Sequence, residues 1–116
     1  MNFGPVEVLL LDEADEELKA LPASERAAMR TAFRKLTEIG SALPFPHQSS
    51  VRGSKSLREL RPRSGRSPFR SFYKRTGPNQ FVIGAVGPEA QVDPQGFRQC
   101  VKAAEERLSK FESYRG

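Results

Sequence analysis

Three consecutive segments in the second half of the chain carry the residue pattern of β-strands. They are SLRELRP (56–62), SPFRSFYKR (67–75) and QFVIGAVG (80–87). In the second segment, Phe69, Ser71 and Tyr73 should point to one face, and Arg70, Phe72 and Lys74 to the other. The third is apolar on both faces, as a covered central strand would be. Because turn residues separate the segments, the sequence predicts a three-stranded antiparallel sheet.

The residues before this sheet predict a strand and a helical hairpin. PVEVLLL (5–11) is apolar and favours a strand, and Asp12 is the expected N-cap of a first helix that ends before Pro22. A second helix should begin near Ser24 and end at Gly40. Its apolar stripe recurs at helical spacing and consists of Met29, Ala32, Phe33 and Leu36.

A long connection and a last helix complete the predicted architecture. Residues 41–56, rich in Pro, Ser and Gly, should form an irregular loop, and the last helix should run from about Pro94 to Glu112. The order is then β-α-α-β-β-β-α, an α+β fold with helices packed on an antiparallel sheet. The length of 116 residues predicts a single domain, 1–116.

Composition and charge limit the classes of function that this protein can have. The sequence has no apolar run long enough to span a membrane and no signal-peptide pattern, and Cys100 is its single cysteine. These features favour a cytoplasmic protein. The formal net charge is +5, with cations concentrated between Arg52 and Arg75 and acids between Asp12 and Glu17. Such a cluster predicts a nucleic-acid surface, and the alternative is a basic face without a partner.

Most catalytic chemistries find no support in the sequence. The only histidine, His47, and the only cysteine lie far apart, so no metal-ligand spacing is present. We found neither a phosphate-binding glycine loop nor a nucleophile-elbow serine. The acids near Asp12 are expected to be solvated and to complement a helix dipole. We therefore expect neither a metal nor another cofactor.

The arginines of the predicted strands suggest phosphate chemistry. Alternate strand positions place side chains on one face roughly 7 Å apart, close to the phosphate spacing of a nucleic-acid strand. Guanidinium groups bind phosphate and stay charged at physiological pH. Near a non-bridging oxygen, they can stabilise the charge that develops when a ribose 2′-hydroxyl attacks its 3′-phosphate. This reaction also needs a base and an acid, and the candidates are Lys55 and His47.

Each candidate also has a structural interpretation. Arg61 can pair with Glu59, two positions away on the same strand face, or with a helix acid, whereas Arg70 in mid-strand needs a groove or a partner. A lone loop histidine is more often incidental than catalytic. The expected RNA-binding cations are Arg52, Arg58, Arg63, Arg66 and Lys74, although Arg63 and Arg66 at a hairpin tip can be merely solvated.

The order of elements and several short phrases resemble the RelE superfamily of toxins, and in particular its HigB or phage Gp49-like group. The phrases are LRELR (57–61), FRSFY (69–73), FVIGAVG (81–87) and AAEERL (103–108). The resemblance implies a cytoplasmic toxin that partners a helix-turn-helix antitoxin and cuts mRNA on the ribosome without a metal. It also implies that Arg61 and Arg70 stabilise the reacting phosphate, and that Arg52 and Lys55 are loop cations facing the RNA.

One departure from the family pattern leaves two further functions open. Where the HigB-type family carries a basic run such as F-x-K-K, this chain has GPEAQ (87–91), with Glu89 in place of a cation. Arg98 and Lys102 of the last helix can replace part of that charge. The alternatives to an endoribonuclease are a ParE-like toxin that inhibits DNA gyrase and a non-catalytic RNA-binding module.

Overall fold

A computed structural model describes residues 6–115 and shows one mixed sheet with helices on both faces. The strands are β1 (Glu7–Leu10), β2 (Gln48–Ser50), β3 (Arg58–Leu60), β4 (Phe69–Gly77) and β5 (Gln80–Pro88). The α-helices are α1 (Asp12–Lys19), α2 (Ala23–Ile39) and α3 (Pro94–Arg115), and short 3₁₀ turns cover Gly40–Ala42 and Pro62–Gly65. The α+β class and the helical hairpin are confirmed.

The sheet has five strands in the order β1-β5-β4-β3-β2, so the predicted three-stranded sheet was too small. The N-terminal strand β1 pairs in parallel with β5, while the other three pairings are antiparallel. The long connection is not wholly irregular, because its residues Gln48–Ser50 form the edge strand β2 against β3. This polar triplet carries no strand pattern of its own, and its conformation comes from pairing with its neighbour.

The two faces of the sheet bury different clusters. On the α1–α2 face, Tyr73 and Leu60 pack with the apolar stripe of α2, which includes Met29 and Leu36. On the α3 face, Phe72 packs with residues of α3 and meets the ring of Phe97 edge-on. The predicted alternation of β4 is therefore confirmed, and it places Arg70 on the α3 face.

Gly84 lets α3 approach β5 closely. The register between β4 and β5 shifts beside Phe72 and Tyr73, which pair with Ala85 and Ile83 and leave Gly84 as the extra residue. A Cβ on Gly84 would lie 2.9 Å from Cγ of Leu108, too close for a side chain. The bulge thus fixes where α3 crosses the sheet.

Two predicted helix starts are displaced. Leu11 occupies the N-cap of α1, and Asp12 is already its first helical residue. Pro22 occupies the N-cap of α2, so Ser24 lies within the helix. Neither α1 nor α2 uses a side-chain cap, whereas the predicted start of α3 is confirmed by a hydrogen bond from Gly96 N–H to Oδ1 of Asp93. The last helix reaches Arg115, three residues beyond the predicted end.

Glu17 joins the first and last helices to the sheet and is not one of the solvated acids that we expected. Its carboxylate accepts hydrogen bonds from both Nη atoms of Arg107, at 3.0 and 3.1 Å, and from the backbone N–H of Val86 at 3.0 Å. The hydrogen bond with Glu17 raises the pKa of Arg107. This three-way contact holds α3 in the position that brings its N-terminal turns beside β3.

No helix within residues 6–115 is long and apolar enough to cross a membrane.

Candidate phosphate-binding site

Two arginines converge on one carboxylate oxygen on the α3 face of the sheet. Nη1 of Arg61 lies 3.0 Å from Oε1 of Glu59, and Nε of Arg70 lies 3.7 Å from the same oxygen. The hydroxyl of Ser49 on β2 donates to it at 3.4 Å. The site thus already presents two cations and a hydroxyl to a single anionic oxygen.

The pairing of β3 with β4 explains this convergence. Leu60 is opposite Ser71, so the next position along β3 brings Arg61 beside Arg70. Like charges at neighbouring positions of adjacent strands repel each other. Glu59 points to the same face as both arginines, and its negative charge offsets that repulsion. The alternative interpretation of Arg61, an ion pair with Glu59, is what the structure shows.

Arg70 is a buried cation with several structural contacts. Its side chain is only 3% exposed, and its guanidinium donates to the carbonyl oxygens of Ser67, Phe69 and Gly65 at 2.6, 3.0 and 3.3 Å. Burial, and then the charge of Arg61, lower the pKa of Arg70. Its Nε has no hydrogen-bond partner among the described residues. One buried donor of this arginine therefore lies 3.7 Å from the anionic oxygen without a hydrogen bond.

Glu89, the residue that replaces a family cation, is a second counter-ion for Arg70. Its Oε2 lies 3.8 Å from Nη2 of Arg70. The turn after β5 holds it there, because Glu89 N–H donates to Pro68 O and Glu89 Oε1 accepts from Val92 N–H. The two arginines and two glutamates, Glu59 and Glu89, have a formal charge of zero. The glutamate by which GPEAQ differs from the family pattern therefore pairs directly with Arg70.

An open groove of about 520 Å³ lies next to this cluster. Glu59 is part of its lining, and Arg52 and Arg98 are exposed cations on it. The residues that line the groove are Ser50, Arg52, Glu59, Ala90, Gln91, Pro94, Phe97 and Arg98. A polyanion in this groove would meet additional positive charge before it reached Glu59.

Three other expected RNA-binding cations are occupied by local partners. Arg58 donates from Nε to Oε1 of Gln48 at 2.6 Å. Arg63 is paired with Glu25 of α2, and Lys74 with Glu112 of α3. Arg66 is exposed and donates to the carbonyl oxygen of Arg63 at 3.2 Å. Of the expected cations, Arg52 therefore lines the groove, Arg61 and Arg70 contact its lining residue Glu59, and these four lie outside it.

The two proton-transfer candidates occupy different places. The carbonyl oxygen of His47 accepts a hydrogen bond from Arg61 N–H at 2.8 Å, but His47 lines a small cavity against α2. Lys55 is exposed in the turn between β2 and β3, where the neighbouring Ser54 bonds Glu105 of α3. Among the described residues, no group of three or more His, Cys, Asp or Glu side chains could hold a metal ion.

Sequence reasoning missed two side chains at this site. It did not foresee Glu89 as a partner of Arg70, because only the strand register brings the two together. It also did not consider Phe45, whose ring centroid lies 5.4 Å from Cζ of Arg61. The sequence did contain a signal for Phe45, because it is an aromatic residue between two prolines in a predicted loop.

Comparison with solved structures identifies the fold as that of the RelE toxins. A mutant of E. coli toxin RelE in its free state aligns with a TM-score of 0.62 at 16% identity, covering 90% of this chain and 98% of that one. RelBE2, a toxin–antitoxin complex from Mycobacterium tuberculosis, gives 0.55 at 22%, covering 73% and 99%. An archaeal RelE–RelB complex from Pyrococcus horikoshii gives 0.53 at 18%, covering 72% and 93%.

The sequence itself gives the family. Residues 16–86 match the model of the phage-derived Gp49-like proteins (DUF891), so the chain belongs to that family. No curated protein sequence matches it. The predicted resemblance to the Gp49-like group is thereby confirmed, and the RelE-like fold is confirmed by the structural matches.

Proposed function

We propose that the protein is the toxin of a type II toxin–antitoxin pair and an endoribonuclease that cleaves mRNA on the ribosome without a metal. E. coli RelE, which shares this fold, is a toxin, and the RelBE2 structure is a toxin–antitoxin complex. For this chain we propose a helix-turn-helix antitoxin as the partner and the cytoplasm as the place of action.

The observation that carries the proposal is the convergence of Arg61 and Arg70 on Oε1 of Glu59. In the proposed complex a non-bridging phosphate oxygen takes the place of that carboxylate oxygen, and Glu59 turns aside. The phosphate gains negative charge in the transition state, so two cations held in place beforehand stabilise it more than the ground state. The unbonded Nε of Arg70 supplies a donor for the second oxygen.

The proposed reaction uses only groups of the RNA and of this chain. The ribose 2′-oxygen attacks the adjacent phosphorus, its proton passes to a base, and the bond from phosphorus to the 5′-oxygen breaks. The leaving 5′-oxygen takes up a proton, which gives a 2′,3′-cyclic phosphate and a 5′-hydroxyl. Both proton-transfer candidates stay open, because the turn of Lys55 borders the groove through Arg52, and His47 lines one small cavity together with Arg61.

Induced expression of the whole chain tests the proposed function. We expect growth arrest, together with mRNA fragments that end in a 2′,3′-cyclic phosphate. One sample of purified protein is treated with a chelator of divalent ions, and the chelator is removed before ribosomes are added. The treated protein should cut mRNA on translating ribosomes as well as the untreated protein does. RNA that is bound but left intact would contradict the enzyme and support a non-catalytic RNA-binding module.

A second candidate function is a ParE-like inhibitor of DNA gyrase. The observation that favours it is the neutralisation of both arginines, since Arg61 and Arg70 already pair with Glu59 and Glu89. An inhibitor that binds protein needs no unpaired cation beside a phosphate. A supercoiling assay separates the two candidates, because an endoribonuclease leaves gyrase activity unchanged.

Removing the charge of Glu89 should strengthen RNA binding. In Glu89→Gln, Arg70 loses a competing carboxylate, while the amide oxygen can still accept the hydrogen bond from Val92 N–H. A unit charge about 4 Å away contributes about 1 kcal/mol in bulk water and more at a partly buried site, so we expect binding to be at least about fivefold tighter. Fluorescence anisotropy with a 2′-O-methyl RNA, which resists this reaction, measures the change.

The matched control for this prediction is Glu38→Gln. It alters the net charge by the same amount, but Glu38 is exposed on α2, away from the groove. We expect less than a twofold effect from it. If both substitutions tighten binding equally, total charge and not the contact with Arg70 explains the gain.

A further inference from the structure

Phe45 is a large apolar side chain that the fold leaves in solvent. It is 70% exposed, whereas Leu43, two residues earlier, is buried. A phenylalanine gains roughly 1.5–3 kcal/mol when it is fully buried. This ring therefore forgoes most of the stabilisation that packing in the core would provide, and it is free to contact a ligand.

The turn that carries Phe45 is fixed by hydrogen bonds on both sides of the ring. His47 N–H donates to Pro44 O at 2.9 Å, and Nε2 of Gln48 donates to Leu43 O at 2.8 Å. Arg61 N–H donates to His47 O at 2.8 Å, which ties the turn to the end of β3. An aromatic ring presented on such a turn loses little conformational entropy when a ligand binds.

Arg61 connects this ring to the phosphate-binding site. Its Cζ lies 5.4 Å from the Phe45 ring centroid, and its Nη1 lies 3.0 Å from Glu59 Oε1. A single guanidinium thus contacts the aromatic ring and marks the position proposed for a phosphate. An aromatic ring beside a phosphate-binding cation is the combination that binds single-stranded nucleic acid, with the ring stacking on a base.

We propose that Phe45 is a stacking platform for the nucleobase next to the phosphate held by Arg61. This proposal rests on the proposed function, because it assigns one more contact to the same RNA. Every base has a π-face, so the contact should add affinity and position the strand without selecting a particular base. Specificity would then depend on other groups of the groove, such as the amide of Gln91.

Two substitutions at this position test the proposal. The chain has no tryptophan, so Phe45→Trp introduces a single fluorescent reporter at the platform. Its emission should be quenched when a 2′-O-methyl RNA is added, because a base stacks on the indole. Phe45→Ala should bind that RNA roughly tenfold more weakly than the unmodified protein. On translating ribosomes, it should need a correspondingly higher substrate concentration for half-maximal cleavage.

The matched control is Tyr114→Ala, which removes another exposed aromatic ring. Tyr114 is 91% exposed near the end of α3 and lines a different groove, together with Leu11 and Phe111. Its loss should change RNA binding less than twofold. Thermal unfolding of all three variants should match that of the unmodified protein, because neither ring is in the core.

The outcomes separate this proposal from the proposed function. If the unmodified protein cleaves mRNA but Phe45→Ala binds and cleaves like Tyr114→Ala, the platform is wrong and the endoribonuclease stands. Unquenched Phe45→Trp emission in the RNA complex has the same meaning. A Phe45→Ala protein that loses only the binding of a protein partner also overturns the platform. If the unmodified protein neither binds nor cleaves RNA, the proposed function itself fails.

Discussion

Arg61→Gln should reduce RNA cleavage by about 100-fold or more while leaving the fold intact. Removing one group that stabilises transition-state charge typically costs a factor of about 10²–10³ in rate. The Arg61 side chain is 23% exposed, and its hydrogen bonds go to Glu59 and Ser49 rather than to backbone carbonyls of the core. Glutamine keeps the polar character of the side chain but loses the charge. Single-turnover cleavage of mRNA on ribosomes measures the rate.

Arg34→Gln controls for the change in net charge. Arg34 is exposed on α2, and its replacement lowers the net charge by the same amount. We expect its cleavage rate to stay within about threefold of the unmodified protein, in line with weak, screened long-range electrostatics. Equal rates for the two variants would mean that Arg61 takes no part in the reaction.

Arg70→Met should lower the free energy of unfolding by at least about 3 kcal/mol. The substitution leaves the carbonyl oxygens of Ser67, Phe69 and Gly65 without their donor and removes one cation from Glu59. Each buried group left unsatisfied costs about 1–3 kcal/mol, and breaking a buried ion pair costs about 3–5 kcal/mol. Urea unfolding followed by circular dichroism measures the loss.

A second substitution shows which part of this loss is electrostatic. Glu89→Gln in the Arg70→Met background removes the carboxylate that has lost its cation, whereas Glu59 still pairs with Arg61, and we expect it to restore about 1 kcal/mol. Arg70→Lys keeps a charge but not the planar fork, so its stability should lie between those of Arg70→Met and the unmodified protein. If Arg70→Met unfolds like the unmodified protein, the contacts of the guanidinium contribute nothing to stability.

These two predictions assign different roles to arginines that look alike in the sequence. Both lie in segments with the residue pattern of a strand, and alternation alone places each on one face of a sheet. Only the structure shows that Arg70 is buried under the turn before β4, whereas Arg61 lies at the edge beside Phe45. Loss of activity in an Arg70 variant therefore mixes structure with chemistry, and Arg61 gives the cleaner test.

The pattern of apolar residues along the chain predicted the strands and helices whose burial produces such a pattern. The apolar run of β5 follows from burial on both faces of the sheet. Strand β4 is also buried on both faces, and its alternation assigns Tyr73 and Phe72 to the two different clusters. The strand β2 could not be predicted, because the triplet QSS (48–50) is polar and is a strand only by pairing with β3. The position of β1 beside β5 depends on contacts between residues more than seventy positions apart, such as Glu7 and Gln80.

The candidate site was predicted as a set of cations, and the structure adds the anions. Glu59 is the single acid of the segment 57–75, so its pairing with Arg61 could be considered from spacing alone. In the sequence, Glu89 was interpreted only as the absence of a cation that the HigB-type family carries at this position. Its contact with Arg70 depends on the register that places Arg70 opposite Gly87, and one sequence does not contain that register.

The bond between Glu17 and Arg107 spans ninety residues, and this separation has a consequence for the order of assembly. Helix α3 supplies Phe97 and Arg98 to the groove and follows every other element along the chain. During synthesis, the strands and the helical hairpin are therefore made before α3, and the groove lacks its second wall until α3 has been added. A nascent chain that ends before α3 therefore lacks the helix residues that form one wall of the groove beside Glu59.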